Sequence, residues 1–164
     1  MLRMNPTSQL YDFATQILTS RDFFNRSTGV LEEADSEFRP REEMMTVAQH
    51  VAHAAQTIDW FINGVTRPEG FDLDFEEQMK LQRGTKSLTE ARARLDAACE
   101  RACKFLRSKT PEELAQPLPP GPIMAAQPMS DIVWAMLDHT AHHRGALAVY
   151  VRLLGKVPPM PYGA

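Results

Sequence analysis

All five histidines of the chain lie in two short segments, His50 with His53 and His139 with His142 and His143. At about 100° per residue, His139 and His143 fall about 40° apart on one helical face, one turn above the other. The same arc carries Ile132, Met136, Leu147, Tyr150 and Leu154, so the pair is expected to point toward a core. His142 falls about 60° to the other side of His139, at the rim. In the earlier segment His50 borders the apolar arc of Val47, Val51, Ala54, Ile58 and Phe61, and His53 sits about 60° further round, on the more polar side. His50, His139 and His143 are therefore expected to converge between two helices. An i, i+4 histidine pair is a two-point clamp for a divalent metal, and a third imidazole from a neighbouring helix leaves positions open for water or substrate. The competing reading is ordinary burial in a core. Two stacked imidazoles against an apolar face would then pay desolvation without a shared partner.

The remaining chemistry-bearing residues are read more plainly. His53 and His142 are expected to be solvated or outer groups of the site, and Asp138 and Arg144 surface charges. Tyr150 shares the face of the histidine pair and can line a pocket. Cys99 and Cys103, four apart on one apolar stripe, read as core packing, as do Met44, Met45 and Met136. Spacing removes several alternatives. No Glu-x-x-His pair of the di-iron bundles occurs, because Val47, His50, Met136, His139 and Thr140 stand three before the histidines. Thr140 and Ala141 after His139 exclude the His-Glu-x-x-His zinc-protease helix. There is no glycine-rich phosphate loop and no serine elbow.

Four stretches with helical period must position these residues: from about 8 to 26, from just after Pro40 to Val65, from the Ser87-Leu88-Thr89-Glu90 capping box to about Ser108, and from Ser130 or Asp131 to Leu154, stopped by Gly155. A short extra turn is expected near 75–81. The breaker-rich run from Pro111 to Pro128 reads as a long surface loop. The expectation is one all-α domain over 1–164, an antiparallel four-helix bundle. With 164 residues, 43% of them apolar, the chain can bury a core without staples. A net charge of −3 disfavours nucleic-acid binding by charge. Two cysteines, no leader-like N-terminus and no apolar run of membrane-spanning length lead to the expectation of a cytoplasmic protein.

The segment His139-Thr140-Ala141-His142-His143-Arg144-Gly145-Ala146-Leu147, followed by Tyr150 through Pro159, resembles the last-helix signature of the DinB/YfiT-like proteins. Members carry a His, three residues, then His-Arg-Gly-Gln and a run ending Leu-Arg-x-x-Gly. Val47-Ala48-Gln49-His50-Val51-Ala52 resembles their second-helix motif, and the order and separation of the two match over nearly the whole chain. The resemblance implies a four-helix bundle holding a divalent metal, zinc or nickel, on three histidines, carried over here to His50, His139 and His143. Ala146 stands where many members have Gln, which removes any polar contact that side chain would make. The resemblance further implies homodimers and, in members of known activity, thiol-dependent transfer using low-molecular-weight thiols. Thiol S-transfer on a small molecule is thus the first expectation. Metal-assisted hydrolysis is the second, and a non-catalytic interaction or ligand-binding module the third. Neither nucleic acid nor membrane is expected as a partner.

Overall fold

The computed structural model describes residues 6–163, with side-chain surroundings from Phe13 onward. Residues 1–5, Ala164 and the side chain of Leu10 lie outside the described residues. Six helices follow one another: α1 (Pro6–Thr28), α2 (Val47–Thr66), α3 (Phe75–Arg83), α4 (Leu88–Arg107), α5 (Pro111–Leu114) and α6 (Asp131–Leu153). No strand occurs among the described residues; a lone bridge joins Pro117 and Pro128. The fold is the all-α four-helix bundle, built from α1, α2, α4 and α6. None of the helices is long and apolar enough to cross a membrane.

Around the bundle the order is α1, α4, α2, α6, so helices consecutive in sequence do not all touch. Cys103 reaches the Ala14 carbonyl while Asp96 lies beside Asn25, which makes α1 and α4 antiparallel. His50 meets His143 and Thr57 meets His139, which does the same for α2 and α6. The seam of α1 with α6 is parallel, since both C-terminal ends meet where Lys156 bonds the Val30 carbonyl. The seam of α2 with α4 is then parallel too. Parallel neighbours need a return as long as the helices themselves, about 30 Å for 20 residues. The connection 67–87 supplies it and folds its middle into α3.

Two departures from the sequence expectation affect the site. The second helix begins at Val47, six residues later than the apolar pattern suggests, because Thr46 and Gln49 close a capping box: Thr46 Oγ1 accepts from the Gln49 amide at 3.2 Å, and Gln49 Oε1 accepts from the Thr46 amide at 2.9 Å. The amides of Val47 and Ala48 are satisfied by the carbonyls of Phe38 and Ser36. Both α2 histidines thereby fall in its first two turns. Met44, outside the helix, is exposed, and Met45 lines a cleft, so of the three methionines only Met136 is core. The proline-rich connection is more ordered than a loop. Pro111 opens α5 at the helical position where its missing N–H costs nothing, and Leu114 and Leu118 are buried.

Ser130 occupies the position before α6 without a side-chain cap bond. At the other end Gly155, at φ +73°, takes the left-handed conformation that stops the helix, and the Lys156 amide bonds back to the Val151 carbonyl. The core runs along the bundle axis through Phe24, Leu88, Leu95, Leu106, Ile132 and Leu147, each at most 2% exposed. Burying each such side chain is worth about 1.5–3 kcal/mol. That apolar column fixes the seam between α2 and α6, from which the histidines project.

Candidate metal centre

Four imidazoles crowd the α2–α6 seam. His143 is the hub: its Nδ1 lies 2.8 Å from Nδ1 of His50, and its Nε2 lies 3.3 Å from Nε2 of His139. His53 packs edge-on at 5.0 Å between centroids against both His139 and His143. Each of His53, His139 and His143 offers a nitrogen, and those three atoms lie within 4.8 Å of one another. His50 is buried beneath the group, edge-on to Tyr150 at 5.0 Å. His142 is exposed at the rim with its ring 5.0 Å from that of His143.

The structure thus brings His50, His139 and His143 together, as expected, but on two sides of one ring. His50 faces the Nδ1 edge of His143 and His139 its Nε2 edge, while His53 packs edge-on against both His139 and His143. Helix spacing had placed His53 among the outer groups, yet it joins the converging three. Tyr150 is spent elsewhere: its hydroxyl donates to the Met45 carbonyl at 3.0 Å, tying the end of α6 to the start of α2.

The three are all imidazoles, and the nearby Asp138 only slightly offsets their effect on His139. Burial, reinforced by the neighbouring imidazoles, pushes His50 and His139 down to about 4 and His143 to about 2, and lowers His53 as well. All four are neutral at pH 7. Neutral imidazole is the form that binds a metal. The Nδ1 atoms of His53 and His139 are buried without a hydrogen-bond partner. Buried polar atoms normally find one, so the cluster is under-satisfied as it stands. Three converging neutral nitrogens and unsatisfied ring atoms fit a divalent ion that takes nitrogen ligands.

The group opens onto a cleft of about 760 Å³. Two helical stripes line it. His53, Thr57 and Trp60 recur at i, i+4 and i+7 on α2; Ala135, Asp138, His139 and His142 recur at i, i+3, i+4 and i+7 on α6. Met45, Phe61 and Phe75 complete an apolar wall, and Phe75 with Gln78 brings α3 over the opening. Trp60 is anchored by its indole N–H, which donates to the Asp72 carbonyl at 2.7 Å, and by Phe71 at 4.7 Å between centroids. Phe71 in turn occupies the space that any side chain at Gly64 would need. Of these wall residues, the sequence reading had only Phe61 on an apolar arc; the i, i+4, i+7 step from His53 to Trp60 is the signal that points to the others. Among the described residues, Asp138 is the sole carboxylate of the lining, and no lysine or arginine joins it.

Cys99 and Cys103 are buried on α4, as the apolar stripe suggests. Burial raises both thiols, Cys99 to about 12. Arg144, read from sequence as a surface charge, is partly buried between Phe23 and Tyr162, 5.8 Å from each ring centre.

No curated protein matches the sequence. Among solved structures, YfiT from Bacillus subtilis, described as a probable metal-dependent hydrolase with an unusual four-helix bundle topology, shares 16% identity. The match covers 95% of this chain and 93% of YfiT, with a TM-score of 0.68. A DinB-like protein from Bacillus subtilis shares 18% identity over 90% of this chain and 95% of its own, with a TM-score of 0.65. At such identities these likenesses speak for the fold. The sequence itself matches the DinB family over residues 6–164, and the chain belongs to that family.

Proposed function

We propose that the protein is a metal-dependent hydrolase of small, largely apolar substrates, with zinc or nickel held by His139, His143 and one imidazole of α2. The observation that carries this reading is the convergence of three neutral imidazole nitrogens at one end of an aromatic-walled cleft. His53 is the α2 ligand that the convergence supports. His50 then serves as the hydrogen-bond partner that fixes the ring of His143 through Nδ1, a role in which outer groups commonly tune a site. His50 as the α2 ligand has one observation in its favour, the 2.8 Å approach of the two Nδ1 atoms.

A divalent ion at this position supplies Lewis acidity, bringing deprotonation of water or a thiol toward neutral pH. The chain's own residues do the rest. Trp60, Phe61, Phe75 and Met45 exclude bulk water and hold an apolar substrate body. His142 and Asp138, on the solvent side of the cleft, are placed to carry a proton between substrate and water. Hydrolysis is preferred over thiol transfer because no lysine or arginine among the described lining residues meets a thiol carrying carboxylates. Thiol S-transfer stays the second reading, favoured by the volume, which admits a thiol beside a small substrate. Neither buried cysteine can serve as that thiol.

The test is a panel of neutral esters and amides with the metal-loaded protein, run with and without low-molecular-weight thiols. Turnover without thiol that is lost on chelation is the expected outcome. Turnover that appears only with thiol would transfer the assignment to the second reading. Turnover that survives complete metal removal would overturn both.

A further inference from the structure

A second cleft, about 750 Å³, lies between α2, α3 and α4. It shares Trp60 and Gln78 with the histidine cleft, so those side chains form a common wall. Its character is opposite. Among the described residues the histidine cleft is lined by no lysine or arginine, whereas this one is lined by Arg67, Lys80, Arg94 and Arg101 against two carboxylates, Asp59 and Asp72.

Those carboxylates are already engaged. Asp59 takes a two-pronged bond from Arg101 at 2.8 and 2.7 Å, which also straps α4 to α2. Asp72 accepts from the Asp74 amide. The other cations are only loosely held: Lys80 by Glu77 at 3.3 Å, Arg67 by Glu69 at 3.7 Å and Arg94 by Glu90 at 3.9 Å, all between exposed side chains and none to a glutamate of the lining. Exposed pairs of this kind exchange readily for a better anion. Arg94 is also aimed, its Nη1 donating to the hydroxyl of the buried Thr85 at 3.4 Å. Ala52, Ala55, Trp60 and Leu81 give the cleft an apolar floor.

We infer that this cleft is a second small-molecule site, for an organic carboxylate whose apolar part lies on Ala52, Ala55 and Trp60 and whose charged head meets Arg94 and Lys80. A planar guanidinium and an ammonium in one lining suit a carboxylate, and apolar residues beside them select an organic acid over an inorganic anion. The inference is independent of the metal reading, since none of its residues belongs to the histidine group.

Trp60 supplies the readout. In a Trp134→Phe background its fluorescence is followed during titration with benzoate, with benzyl alcohol as the uncharged counterpart, at fixed ionic strength. Both are run on metal-free and zinc-loaded protein. Benzoate is expected to give a saturable change and to bind at least tenfold more tightly than benzyl alcohol, with or without zinc. Arg94→Gln combined with Lys80→Gln should remove at least tenfold of that affinity, whereas Arg94→Lys, which keeps the charge, should lose about threefold. Both positions are exposed, so the variants keep the fold. Equal binding of acid and alcohol would overturn the inference. So would benzoate binding unchanged in the double variant, or binding that requires zinc and disappears in His143→Ala.

Discussion

Two helices of the bundle each carry a pair of soft ligand side chains one turn apart: Cys99 and Cys103 on α4, His139 and His143 on α6. Both pairs project from long helices toward the core, and spacing alone would let either clamp a metal. Their surroundings separate them. The cysteines face α1, where Cys103 gives its S–H to the Ala14 carbonyl, and among the described residues no group of metal-ligating side chains includes either one. Burial keeps Cys99 protonated, raised to about 12. The histidines face α2, which returns two more imidazoles, and burial there works in the opposite sense for ligation. A buried thiol is held in its non-binding protonated form, while a buried imidazole is held in its binding neutral form. Spacing nominates a pair, and the neighbouring helix with the sign of the desolvation effect decides what it becomes.

The largest expected effect breaks the histidine side of this contrast. His143→Ala removes the hub, and divalent-metal affinity should fall on the order of 100-fold or more, measured by competition with a chromophoric chelator. Retention of wild-type affinity would place the metal elsewhere. Cys99→Ala and Cys103→Ala should leave that affinity unchanged.

Next in size is the pH dependence of stability without metal. Folded His50, His139 and His143 titrate well below the usual 6.5. Above pH 6.5 folded and unfolded chains are both neutral at these positions, so they contribute no slope. As pH falls below 6.5 the unfolded chain takes up protons that the folded one refuses. Stability should then drop by up to about 1.4 kcal/mol per pH unit for each histidine, down to about pH 4 for His50 and His139 and about pH 2 for His143. Urea melts between pH 7 and 4.5 measure it. A flat profile would mean that the rings are solvated. Saturating zinc should raise stability at pH 7, where the imidazoles are free to bind.

Two smaller effects sharpen the comparison. Cys99→Ala should cost about 1 kcal/mol through lost packing, and native thiols should resist a disulfide reagent at pH 8 until the chain unfolds. Rapid labelling of the folded protein would contradict the burial assigned to α4. Thr46→Ala removes the capping box at the start of α2 and should cost about 1 kcal/mol in thermal or urea melts. It should also weaken metal binding severalfold, because His50 and His53 sit in the first two turns of that helix.

The helices and the crowding of the histidines were legible in the sequence because both follow from a period of 3.6 acting on a few side chains. Gly155 and the Ser87 cap marked two helix ends correctly for the same local reason. The start of α2 was not readable from apolar pattern: Met44 continues it, and only the Thr46–Gln49 reciprocity ends it. The wheel also ranked His53 as outer, since it lies off the apolar arc. A cleft opens on the polar side beyond that arc, so the position one step past its border is the one that faces it. The seam directions lay beyond local reading, because connections of about twenty residues permit either sense. The aromatic wall needed the long-range return of α3, although the step from His53 through Thr57 to Trp60 was present in the sequence.

A metal on three converging imidazoles with His50 behind them can be checked by titrating zinc into untagged wild-type, His53→Ala and His50→Ala proteins, with elemental analysis of each. One ion per wild-type chain is expected, with a loss on the order of 100-fold in affinity for His53→Ala and of about tenfold for His50→Ala. Wild-type affinity in His53→Ala, with metal lost from His50→Ala instead, would contradict it.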